Sequence, residues 1–136
     1  MTFLLDTNAC IALIDGRPEK VRGRLARALA AADEVATSSI ALFELWYGVA
    51  KSARRQVNSA RLNAFLAGPI GRIEFDEQDA REAGEVRAQL ETMGRRIGAY
   101  NLLIAGQARR RGTVLITANA SEFDSVPNLN WEDWAS

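Results

Sequence analysis

The sequence predicts an α/β protein: a three-layer α/β/α sandwich with a central, mostly parallel sheet of short strands. Three observations lead there. Apolar runs of strand length alternate with segments of helical spacing. No Gly/Ser/Pro-rich linker, internal repeat or low-complexity stretch interrupts them. A chain of 136 residues is about what one hydrophobic core can organise. Residues 1–136 are therefore expected to form a single domain.

The elements follow in order. Residues 3–5 (FLL) are a short apolar run that ends at Asp6, as a buried strand would, and TNACIALID continues as a helix stopped by Gly16. From Pro18, taken as a first-turn proline, Val21, Leu25, Ala28 and Leu29 keep helical spacing to about Ala32. VATSS reads as a second strand. Ser38 and Ser39 are N-cap candidates for a helix through IALFELWYGVAKS, and residues 53–67 give another, ended by Gly68 and Pro69. RIEF is a strand, and the acid-rich DEQDA after it suits the first turn of a long helix reaching about Gly94. Residues 98–111 form the next helix, TVLIT the clearest strand, and Leu129 to Trp134 an edge strand.

Composition excludes several kinds of chemistry. The hydrophobic fraction is 48% and the charged fraction 25%, ordinary globular values, and no apolar run is long enough to span a membrane. Asp6 interrupts what would be a signal peptide's apolar stretch, so a cytoplasmic protein is expected. One cysteine, Cys10, excludes an internal disulfide and a zinc cluster; the absence of histidine removes the commonest transition-metal ligand. Any metal must be held by oxygen. Net charge is zero, so nucleic-acid binding has to rest on local clusters. Arg17, Lys20, Arg22, Arg24 and Arg27 form one such cluster and Arg109, Arg110 and Arg111 another, either of which can equally be a solvated helix face. For the second, at a helix C-terminus, complementing the helix dipole is a sufficient role.

In a parallel sheet the carboxyl ends of the strands and the adjoining helix starts converge on one crevice. Four places meet that rule: Asp6 with Asn8, Glu44, Asn101, and Thr117 with Asn119. Glu44 is nearly the only charge within IALFELWYG, and a buried, unpartnered carboxylate is costly. Asp6 taken alone is as well explained by helix N-capping. Hard divalent cations take one or two carboxylates and keep several waters, so an acidic crevice without histidine suits magnesium and phosphodiester chemistry.

The motifs LLDTNACI, SSIALFELWYG, RRIGAYNLLIAGQAR and LITANASEF, in that order and spanning the chain, resemble the PIN-domain family, most closely its VapC-like ribonuclease toxins of bacterial toxin–antitoxin pairs. The resemblance implies an endoribonuclease dependent on Mg2+ (or Mn2+), with RNA such as tRNA as substrate, a cognate antitoxin protein as partner, and a homodimer. It implies catalytic roles for Asp6, Glu44, Asn101 and Asn119, with Asp6 and Asn101 at metal-ligand positions. Asn101 departs from the pattern, because relatives carry aspartate there. The amide keeps one oxygen and loses a full charge, so weak or absent cleavage is expected; a catalytically dead fold that binds RNA or antitoxin is the alternative. Thr7, Asn8 and Thr117 are expected to support the site, and Arg95 and Arg96 to contact RNA backbone. Trp46 and Tyr47 read as core or as a protein-contact patch. A receiver-like domain with an acidic pocket would need a lysine late in the chain, and none follows TVLIT.

Overall fold

The computed structural model describes residues 1–136. Five strands, β1 (Thr2–Leu5), β2 (Glu34–Ser38), β3 (Gly71–Ile73), β4 (Val114–Ile116) and β5 (Trp131–Glu132), form one sheet in the order β3-β2-β1-β4-β5. Every pairing is parallel. Seven helices flank it: α1 (Thr7–Asp15), α2 (Glu19–Ala30), α3 (Ser39–Lys51), α4 (Arg55–Leu66), α5 (Glu77–Thr92), α6 (Ala99–Arg111) and α7 (Ala120–Phe123). None is long and apolar enough to cross a membrane.

Strand pleat sorts the core into two layers, as the predicted sandwich requires. Phe3 and Leu5 point to one face, with Leu13, Val21, Leu45 and Trp134; Leu4 points to the other, with Val86, Leu90, Ile104 and Phe123. On that second face α6 presses so close to α5 that a Cβ at Gly106 would lie 2.5 Å from the Ala83 Cα. Glycine is required there by contact rather than by backbone freedom.

The predicted boundaries hold to within a few residues. Pro18 is the N-cap of α2, one position before the first turn. Ser38 ends β2 and its hydroxyl caps α3 by accepting from the Ile40 N–H at 3.0 Å. DEQDA is a full capping box, Asp76 and Asp79 each accepting the other's backbone N–H. Helix α7 is a single turn with no signal in the sequence: ASEF has no apolar periodicity beyond the buried Phe123.

The arginine triplet does more than complement a dipole. Asp79 is fully buried, and Arg110 and Arg111 reach it at 3.0 and 3.1 Å, while Arg109 pairs with Glu82 at 2.9 Å. These bonds tie the end of α6 to the start of α5, so the triplet is committed to the fold.

Candidate active site

The carboxyl ends of β1, β2 and β4 deliver Asp6, Ser38 and Thr117 to one edge of the sheet, as parallel topology dictates. Asp6 is 3% exposed. It caps α1, accepting the Ala9 N–H at 2.7 Å, so the helix-capping role is real. Burial pushes its pKa up from the ordinary value and the nearby charge of Glu44 adds to this, against lowering hydrogen bonds from the Thr117 hydroxyl and the Ala9 and Asn8 backbones. The site thus holds a carboxylate that is costly to ionise unless positive charge approaches.

Glu44 lies in the second turn of α3, and Thr7, the first residue of α1, donates its hydroxyl to Glu44 Oε1 at 2.6 Å. The sequence suggested that Glu44 would be enclosed by apolar neighbours. It is half-buried instead, because Phe43, Trp46 and Tyr47 face outward, at 54%, 38% and 57% exposure. The Thr7 bond holds one of its carboxylate oxygens, close enough to Asp6 for its charge to be felt there. Trp46 and Tyr47 therefore belong to an exposed patch and are no part of the core.

Asn101 stands in the first turn of α6, beside α3: Phe43 and Tyr100, the residues preceding Glu44 and Asn101, pack their rings 5.4 Å apart. The Asn101 amide donates to Glu122 Oε1 at 3.1 Å, and the Gly98 N–H donates to the same oxygen at 2.8 Å. Glu122, in α7, is the residue sequence reasoning missed. It lies three positions beyond Asn119 and one before the buried Phe123, a spacing that places an acid at this edge only once α7 is known to be helical.

Thr117 accepts the Asn119 N–H at 3.0 Å, and Asn119 Oδ1 accepts the Ser121 hydroxyl at 3.3 Å. Asn119 thus braces the turn after β4. Asn8 is exposed, and it serves Asp6 through its backbone rather than its side chain. Arg95 and Arg96 are exposed in the segment leading into α6. Cys10 is buried behind the site, donating to Thr37 at 3.4 Å, and desolvation pushes its thiol up to about 12, so it offers no nucleophile.

Nowhere do three or more Asp, Glu, Cys or His side chains gather as a ready metal cage. The crevice donors are all oxygens: the Asp6 and Glu44 carboxylates, Thr117, the Asn101 amide oxygen and the Glu122 carboxylate. That set fits a hard divalent cation needing one or two carboxylates and water. At Asn101 it offers a neutral amide oxygen.

Against known proteins, the PIN domain family model matches residues 3–129. The chain belongs to the PIN-domain family. Among its relatives, this PIN domain is 37% identical over 134 residues to the tRNA(fMet)-specific endonuclease VapC of Salmonella typhimurium, with 98% of each chain covered. It is 39% identical to ribonuclease VapC2 of Rickettsia felis, again over 98% of each. Among solved structures, VapBC2 from Rickettsia felis bound to a DNA fragment from its promoter superposes with a TM-score of 0.91 at 38% identity, covering 98% of this chain and 99% of that one. DNA-bound VapBC from Salmonella typhimurium gives 0.90 at 37%, covering 98% of each. These matches run end to end, so they bear on the whole PIN domain, crevice included.

Proposed function

We propose that this PIN domain is the ribonuclease toxin of a cytoplasmic toxin–antitoxin pair, an endonuclease whose crevice holds Mg2+ or Mn2+ and whose substrate is RNA, tRNA first among the candidates. The observation that carries the reading is the buried Asp6 carboxylate, facing Glu44 at the carboxyl end of the sheet, in a chain similar over its whole length to proteins named as endonucleases and ribonucleases.

Asp6, Glu44 and the Asn101 oxygen would hold the cation, with Glu122 the nearest further carboxylate. When bound, it supplies a Lewis acid beside the phosphodiester and positive charge against the negative charge that develops there. The chain's own groups do the positioning. Ala9 N–H and Thr117 fix Asp6, Thr7 holds one oxygen of Glu44 and leaves the other without a protein partner, and Asn119 braces the Thr117 turn. Arg95 and Arg96, exposed at the entrance to α6, are placed to meet the RNA backbone, which fixes register without reading sequence.

The named partners are a cognate antitoxin and a second copy of the chain. Support comes from the VapBC complexes that this chain resembles and from the exposed aromatics Phe43, Trp46, Tyr47 and Tyr100, of which Phe43 and Tyr100 pack ring against ring.

A second reading, a fold that binds without cutting, is favoured by one contact: Glu122 Oε1 is taken up by the Asn101 amide nitrogen and the Gly98 N–H, which leaves the Asn101 oxygen free but ties down one oxygen of the neighbouring carboxylate. Cleavage tests the proposal. With magnesium and bulk tRNA, the Asn101→Asp form is expected to release discrete fragments and the present chain few or none. If no RNA is cut by Asn101→Asp, the nuclease reading loses its main support.

A further inference from the structure

A cavity of about 670 Å3 opens between α2 and the starting ends of β1 and β4, the ends opposite those that carry Asp6 and Thr117. Its walls, open to solvent, combine the half-buried Trp131 ring with the guanidinium groups of Arg24 and Arg27, over a floor of the buried Phe3 and Trp134. The basic run in α2 is thus divided in its work. Arg22 turns back to donate to the Leu13 and Ile14 carbonyls at the end of α1, whereas Arg24 and Arg27 are left at the cavity.

Three groups there are incompletely used. Arg27 is exposed and makes no hydrogen bond or ion pair within the chain. Arg24 lies 6.0 Å over the Trp134 ring and touches Glu132 at 3.4 Å, a loose contact between partly exposed side chains that a stronger anion would displace. The Trp134 indole N–H is buried with no acceptor, although buried donors are nearly always paired. Asp33, the other acid in the wall, is occupied by the Met1 ammonium at 3.4 Å. The Trp134 N–H, on a side chain only 2% exposed, is out of a ligand's reach, so the accessible demand is for negative charge, beside the half-buried Trp131 ring.

We propose that this cavity binds a nucleotide, its base against Trp131 and its phosphoryl oxygens on Arg27 and Arg24. Arginine's planar fork matches phosphate oxygens in pairs, and stacking on indole tolerates any base. The depression is open to solvent, so a bound nucleotide would lie along it with its base only partly covered. The nucleotide has two sources, a residue of single-stranded RNA or a free mononucleotide. Neither occupies the acid crevice, so the proposal stands apart from the nuclease reading.

The experiment uses the full chain carrying Trp46→Phe, so that Trp131 and Trp134 are the remaining indoles of the three. Their fluorescence is followed in the presence of a chelator during titration with AMP, adenosine or a short single-stranded oligoribonucleotide. Saturable quenching is expected, tighter for AMP than for adenosine, and weakened at least about ten-fold by Arg27→Ala. Arg27 is exposed and unpaired, so that variant should melt as the parent does. Saturation by AMP assigns the site to free nucleotides; saturation by the oligomer alone, with the same dependence on Arg27, assigns it to RNA. The proposal is overturned if neither ligand saturates through the millimolar range, if Arg27→Ala leaves binding unchanged, or if adenosine binds as tightly as AMP.

Discussion

The Asn101 amide nitrogen lies 3.1 Å from Glu122 Oε1, an oxygen that also accepts the Gly98 N–H. Asn101 thus places at this edge a neutral donor that holds a neighbouring carboxylate still. Replacing the amide with aspartate sets two acids against one another in the cation-free protein. Asn101→Asp is therefore expected to lower Tm by roughly 3–8 °C in chelator, and magnesium to restore most of the loss. Thermal melts with and without the ion check this; equal Tm values for the two forms in chelator would remove Glu122 from the site.

Asp6 gives a pH dependence whose sign follows from its raised pKa. Between the ordinary value of 3.8 and the raised folded value, the folded state holds this proton more firmly than the unfolded chain does. Its contribution to stability accordingly falls as pH rises through that window, and above it the ionised side chain is a standing cost. Asp6→Asn keeps an oxygen for the Ala9 N–H and sheds the charge. In chelator it should melt higher than the parent at pH 7, with the advantage shrinking towards nothing as pH drops to about 3.8. A Tm difference independent of pH would contradict this.

Asp79 behaves in the opposite sense. Burial alone would raise its pKa, but Arg111, the Asp76 backbone, Arg110 and Gln107 together hold it below the ordinary carboxylate range. The stability it contributes is present above 3.8 and is lost as pH falls through the lower folded value. Asp79→Ala should cost about 3 kcal/mol, at the low end for a buried pair, because Arg110 and Arg111 keep 33% and 29% side-chain exposure and stay hydrated. Urea unfolding at neutral pH measures the loss; a change below about 1 kcal/mol would mean the network is ornamental.

Which of these relationships could be seen in the sequence depended on distance along the chain. Asp6 was legible because a buried strand stops on it. Glu44 was found from its apolar neighbours, but two of those, Phe43 and Trp46, face outward, and the bond that orients it comes from Thr7, 37 residues away. Asp79 and the arginines that neutralise it are 31 and 32 residues apart, so the triplet read as a solvated face. Glu122 stayed hidden because a single helical turn has too little periodicity to announce itself. The parallel sheet and its two helix layers, by contrast, follow from local pattern, which the short strands already displayed, whereas the strand order β3-β2-β1-β4-β5 is set by pairings between segments distant along the chain.

The central claim, that this is a PIN-domain metal site lacking one charge at Asn101, is tested most directly by calorimetric titration of Mn2+ or Mg2+ into the chain and into its Asn101→Asp form under identical conditions. Weak or unsaturable binding is expected for the chain, and affinity at least about ten-fold higher for Asn101→Asp. Equally tight binding by both forms would contradict it.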